Sequence, residues 1–132
     1  MTVSILVVDD EPDVVSLYEQ RFRRELRKKD CELHFAGTGG EALARLEEGG
    51  LDPARSVVLM DIKMPDISGL DLMADVKRRW PDLPAFMVTA FGDDENRRLA
   101  TEAGADEFVT KPIDFDGLKG LVQKHRPWSG SP

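Results

Sequence analysis

Three carboxylates, one hydroxyl and one ammonium stand at corresponding places along this chain. Asp9 and Asp10 follow the apolar run Val3–Val8, Asp61 follows Ser56–Met60, Thr89 closes Ala85–Thr89, and Lys111 follows Glu107–Thr110. If these residues meet, the carboxylates repel one another and disfavour their own ionisation. A hard cation removes that penalty, and oxygen-only ligands with room for water suit Mg²⁺, for which Mn²⁺ can substitute. A cation held this way also clamps a phosphoryl oxygen and offsets charge during in-line transfer. Lys111 can place a second positive charge on the phosphate oxygens, and Thr89 can donate a hydrogen bond to another. One carboxylate is then left as a nucleophile that could form an acyl phosphate. Taken singly, each residue has a bland reading; Asp-Asp-Glu-Pro, for example, is an ordinary acidic helix start. Their shared position carries the signal.

The elements that must position them alternate regularly. Val3–Val8 is nearly all apolar and β-branched, as in a central parallel strand covered on both faces. A helix is expected from Asp13, with Val15, Tyr18, Phe22 and Leu26 on its apolar face and Pro12 in its first turn. Cys31–Ala36 alternates like a half-exposed edge strand. A second helix follows Gly37-Thr38-Gly39-Gly40, carries Ala42, Leu43 and Leu46 on one face, and closes at Gly49-Gly50. Strand Ser56–Met60 leads to a third helix marked by Leu72, Val76 and Trp80 and stopped by Pro81. Strand Ala85–Thr89 leads to a weakly amphipathic helix over Asn96–Ala103. Strand Glu107–Thr110 leads to a last helix marked by Phe115, Leu118, Leu121 and Val122. Five strand-then-helix repeats imply an α/β, doubly wound (βα)5 flavodoxin-like fold with right-handed crossovers. With strand order 2-1-3-4-5, strands one, three, four and five are neighbours. The ligand site of such a sheet lies beyond the carboxyl ends of its strands, where all five residues fall. Residues 1–124 are read as this domain and 125–132, rich in Pro, Gly and Ser, as a flexible C-terminal tail or linker stub.

Composition narrows the options. A length of 132 residues is about one domain. With 18 Lys and Arg against 25 Asp and Glu, the net charge of −7 argues against direct nucleic acid binding by this domain. The single cysteine, Cys31, supports neither a disulfide framework nor a thiolate metal site. It reads as a small buried hydrophobe in a reducing, cytoplasmic setting. The N-terminus lacks a charged leader region, and no apolar run is long enough to span a membrane.

On these residues the chain resembles the receiver domains of two-component response regulators. The matching stretches are Ile5-Leu6-Val7-Val8-Asp9-Asp10-Glu11-Pro12, Met60 to Gly69, Met87-Val88-Thr89-Ala90, Ala103-Gly104-Ala105-Asp106 and Lys111-Pro112, together spanning Ser4 to about Gln123. The resemblance implies that Asp61 accepts a phosphoryl group from a sensor histidine kinase, a phosphotransfer protein or a small phosphodonor, in bacterial phosphorelay signalling. It implies that Asp10 ligates Mg²⁺ directly, Asp9 largely through water, and the Lys63 backbone carbonyl completes the protein ligands alongside Asp61. It also implies a switch: the Thr89 hydroxyl moves to the phosphate, Phe108 turns into the vacated space, and the face formed by the fourth helix, fifth strand and fifth helix changes shape. The domain would thus be a signalling module, catalysing only its own phosphorylation and slow dephosphorylation. An output domain or effector, in some arrangements fused C-terminally, and a phosphorylation-linked homodimer follow from the same resemblance. The Lys111-Pro112 bond is expected to be cis.

Two further positions bear on phosphate lifetime. Lys63, two residues past Asp61, and Phe91, two past Thr89, border the route of a hydrolytic water, so a long cationic stem and a bulky ring should slow hydrolysis. Two rivals are weaker. A haloacid-dehalogenase-type phosphatase needs an acid two residues after its nucleophile, whereas Lys63 stands there after Asp61, and Glu11, after Asp9, lacks the expected loop. An unphosphorylated pseudo-receiver would not need the full acidic set. The Gly37–Gly40 segment lacks the Lys-Ser/Thr of a phosphate loop and reads as a turn. His34 and His125 are expected to be solvated.

Overall fold

The structure is a computed structural model and describes residues 2–128. Strands β1 (Val3–Val8), β2 (Cys31–Ala36), β3 (Ser56–Met60), β4 (Ala85–Thr89) and β5 (Glu107–Thr110) form one parallel sheet in the order β2-β1-β3-β4-β5. The expected fold class and all five strand boundaries are therefore found. Because successive strand residues face opposite sides, β1 feeds two cores. Leu6 and Val8 join one layer with Ala42, Leu46, Leu72 and Val76. Val3, Ile5 and Val7 join the other with Tyr18, Phe22, Leu118 and Val122. Full burial of each large apolar side chain is worth about 1.5–3 kcal/mol, which is why the central strands tolerate no charge between their ends.

The helices are α1 (Val14–Arg21), α2 (Arg23–Arg27), α3 (Gly39–Glu47), α4 (Gly69–Arg79), α5 (Asp94–Ala103) and α6 (Phe115–His125). The first expected helix is thus two. Phe22 leaves helical geometry (φ −102°, ψ 15°) while its fully buried ring stacks on Tyr18 and meets Phe115 edge-on. Its buried face also begins one residue earlier than expected: Val14 is buried and Val15 exposed. The helices of the fourth and fifth repeats are accordingly α5 and α6. Among the residues of α5 only Ala100 is fully buried.

The chain end differs from the expected tail. His125 completes α6, and its Nε2 lies 2.8 Å from Glu107 Oε2. Arg126 donates to the carbonyls of Asp82 and Pro53, and Trp128 is 6% exposed within the β1–α6 core. His125 is therefore partly buried against Glu107 rather than free in solvent, because the turn after α6 folds back onto the sheet. The expected tail residues 129–132 lie outside the described residues.

Candidate functional site

Three of the candidate residues are placed by one extra step of sheet hydrogen bonding, and Thr89 is the last residue of β4. Asp9 N–H donates to the Ala36 carbonyl, Asp61 N–H to that of Val8, and Lys111 N–H to that of Thr89. The ladders therefore continue one residue past the strand ends and bring side chains 50 and 102 residues apart into one cleft. Lys111 Nζ donates to Asp9 Oδ2 at 2.8 Å, Asp61 Oδ2 at 3.0 Å and Glu11 Oε1 at 3.0 Å. Burial acts to lower the lysine's proton affinity, but the hydrogen bonds it donates to Asp9, Asp61 and Glu11 outweigh that and hold the ammonium well above its ordinary range. Asp9 and Asp61 are buried, and Thr89 is fully so. Thr89 Oγ1 accepts from the Phe91 N–H. The Lys111-Pro112 peptide is cis, as expected.

Oxygen atoms of Asp9, Glu11 and Asp61 lie within 4.8 Å of one another, a donor set of carboxylates alone that fits a hard divalent cation. Asp10 is exposed and lines the outer cleft of about 770 Å³ with Glu11, Asp61, Lys63 and Phe91. Sequence reasoning passed over Glu11 as a helix-start residue. The available signal was that it is the third acid in an unbroken run, closed by Pro12.

Lys63 and Phe91, expected to border the same route, touch: Lys63 Nζ sits 4.6 Å from the Phe91 ring centroid, and Phe91 is 40% exposed. The Lys63 N–H points to Asp61 Oδ1 at 3.4 Å. The loop between them and α4 closes tightly. Gly69 N–H donates to Ile62 O at 2.6 Å, and a Cβ on Gly69 would lie 1.9 Å from the Asp61 carbonyl oxygen, so only glycine fits there. Phe108, on edge strand β5, is half-buried and covered by the Arg97 guanidinium from α5 at 4.7 Å.

The Gly37–Gly40 segment begins α3, with Thr38 as its cap, and holds no basic residue. Its Gly39 and Gly40 N–H groups donate to the carboxylate of Asp66, 2.9 and 2.8 Å away, a contact the sequence did not disclose. Cys31 is buried, and burial first, with the nearby Glu25 and Asp30 carboxylates, pushes its thiol up to about 12. Cys31 is thus the small buried hydrophobe expected.

Comparison with known proteins points the same way. The response regulator receiver domain family model matches residues 5–123. The chain is 37% identical over 117 residues to the response regulator protein PilR of Pseudomonas aeruginosa, covering 89% of this chain and 24% of that protein. It is 34% identical over 114 residues to the probable transcriptional regulatory protein TcrX of Mycobacterium tuberculosis, covering 86% and 45%. The chain thus spans less than half the length of these curated relatives. A putative response regulator from Chloroflexus aurantiacus superposes with a TM-score of 0.80 at 28% identity, covering 95% of this chain and 98% of that one. Response regulator TrrA of Thermotoga maritima, solved in complex with Mg²⁺–BeF, superposes with a TM-score of 0.75 at 36% identity, covering 93% and 98%. Five parallel strands in this order, with an acidic cluster and a lysine at their carboxyl ends, accord with those matches, and the chain belongs to the response regulator receiver domain family.

Proposed function

We propose that Asp61 is the phosphoacceptor of this receiver and that the cleft around it catalyses the transfer. The observation that carries the reading is the Lys111 ammonium bridging Asp9 and Asp61 at 2.8 and 3.0 Å among the ends of neighbouring strands. An Asp61 oxygen attacks phosphorus, the bond from phosphorus to the donor imidazole or acyl oxygen breaks, and the donor leaves with that electron pair. Lys111 moves its contact to a phosphoryl oxygen. Thr89, whose hydroxyl here only accepts, donates to another. Asp9, Asp10, Asp61 and the Lys63 carbonyl would hold Mg²⁺, or Mn²⁺ in its place, and Glu11 adds a third carboxylate within 4.8 Å of those of Asp9 and Asp61. When bound, the cation supplies positive charge against the phosphoryl oxygens. The Mg²⁺–BeF complex of the Thermotoga relative supports pairing this fold with a metal.

Movement of Thr89 frees space for Phe108, and α5, with so little of its surface buried, is the element able to shift. The α5-β5-α6 face would then signal to an output domain or effector, or to a second copy of the domain. The donor is a sensor histidine kinase, a phosphotransfer protein or a small phosphodonor, acting in the cytoplasm. Lys63 and Phe91 shield the acyl phosphate, so the signal is long-lived. The deciding experiment is incubation with Mg²⁺ and acetyl phosphate followed by intact mass. A single phosphoryl adduct is expected, absent in Asp61→Asn and without Mg²⁺; an adduct that persists in Asp61→Asn refutes the assignment.

A further inference from the structure

We propose that Asp66 is a positioning residue for this chemistry: by tying the loop that carries Lys63 to the N-terminus of α3, it holds the Lys63 backbone and side chain beside Asp61. The inference rests on the phosphoacceptor reading above and deepens it.

A helix start leaves N–H groups with no partner inside the helix. In α3 the Glu41 N–H goes to its own cap, Thr38 Oγ1. The Gly39 and Gly40 N–H groups go instead to the two oxygens of one carboxylate, Asp66, from a loop 27 and 26 residues further on. Asp66 Oδ1 also accepts from the Ile67 N–H at 2.9 Å. The same junction is sealed by contact: a Cβ on Gly39 would lie 2.5 Å from Ile67 Cγ1. Asp66 is exposed, so water is its competing partner. The amides of Gly40, Gly39 and Ile67 nevertheless hold its carboxyl below the ordinary carboxylate range.

This tie matters because of what lies between Asp61 and Asp66. The base of the loop is closed by Gly69 N–H on Ile62 O. Its apex, Asp66, has no other anchor of this kind among the described hydrogen bonds, and Lys63 lies between that apex and the base. Lys63 offers its N–H to Asp61 and its Nζ to the Phe91 ring, and in the reading above its carbonyl is the oxygen offered to Mg²⁺. With the apex fixed to α3, all three are set at once. With the apex freed, the loop can swing about its Ile62–Gly69 base. The cleft then loses both a preset oxygen ligand and its shield.

The test compares the parent with Asp66→Ala, Asp66→Asn and Lys63→Asn, the last also combined with Asp66→Ala. Amide hydrogen exchange in the unphosphorylated proteins should show residues 63–68 and the start of α3 losing protection in Asp66→Ala, while the β-sheet amides keep theirs. Mg²⁺ titration should give about tenfold weaker binding, as for loss of a group that orients a metal ligand. The acyl phosphate should decay several-fold faster in Asp66→Ala, and Asp66→Ala should add little in the Lys63→Asn background. Asp66→Asn, which keeps one acceptor oxygen, should fall between parent and Asp66→Ala. Unchanged loop exchange and Mg²⁺ affinity in Asp66→Ala overturn the proposal, as does a decay effect fully additive with Lys63→Asn. If the parent takes no phosphoryl group, the Asp61 reading fails, while exchange and titration still decide the role of Asp66.

Discussion

Replacing Lys111 with Met removes the positive charge that joins Asp9 to Asp61 while keeping an unbranched stem. The two carboxylate side chains are 7% and 10% exposed and the lysine 19%, whereas Glu11 is 62% exposed and adds little. Removing one partner of a buried ion pair costs about 3–5 kcal/mol, because the remaining charge stays buried and unpaired. The cleft is open to solvent on one side, so the lower end, about 3 kcal/mol, applies here. For a domain of this size that corresponds to a fall in Tm of roughly 10 °C. The sign with pH follows from the direction of the shift. The folded lysine holds its proton above the ordinary value of 10.5, so its contribution is complete below that value and is lost as pH rises through the higher folded one. At pH 7 the whole penalty should therefore be visible. Mg²⁺ provides the internal control. A ligand at a hundred times its Kd stabilises by about 2.7 kcal/mol, enough to restore most of the loss. It should also bind the variant more tightly, because no ammonium competes for Asp9 and Asp61. Thermal melts by circular dichroism, with and without saturating Mg²⁺, measure both effects. If Lys111→Met melts with the parent in metal-free buffer and gains no more from Mg²⁺, the buried-cluster reasoning is wrong.

The Lys63–Phe91 contact is a partly exposed cation–π pair worth about 0.5–1 kcal/mol. Opening it in a Lys63→Asn, Phe91→Glu variant should speed acyl phosphate decay at least two- to five-fold; equal decay in parent and variant would discard the shield. Trp128→Ala empties a site that is 6% exposed in the core, and about 3 kcal/mol should be lost in urea unfolding. Full stability in that variant would mean that the segment after α6 is only draped on the surface. Burial works to raise the Glu107 carboxyl, but hydrogen bonds from His125 and Lys124 win and hold it below its ordinary range. Its contribution is thus present above the ordinary glutamate value of 4.5 and lost as pH falls through the lower folded one. Glu107→Gln should melt lower than the parent at neutral pH and converge with it in acid; a gap that persists unchanged in acid contradicts this.

Much of this was written in the order of the chain. Hydrophobic runs of Val3–Val8 and Ser56–Met60 read as covered strands, and a doubly wound sheet of order 2-1-3-4-5 then sets which strand ends adjoin. That is why Asp9, Asp61, Thr89 and Lys111 could be grouped from sequence, and why Lys63 and Phe91 could be placed on the same route before any contact between them was known. The caps are local interactions seen in the structure: Ser68, Asp93 and Asp114 each accept from an amide three residues on at a helix start. Other features depended on distances between segments that no local pattern encodes. The break at Phe22 follows from the space between Tyr18 and Phe115. The third oxygen cluster member is Glu11 rather than Asp10, both of them exposed, because rotamer and reach, not spacing, decide which carboxylate comes close to Asp9 and Asp61. Asp66 finds the start of α3, and the residues from His125 to Trp128 find Glu107, Asp82 and the sheet. Each of these joins groups whose neighbours along the chain say nothing of one another, so only the packed fold could bring them together.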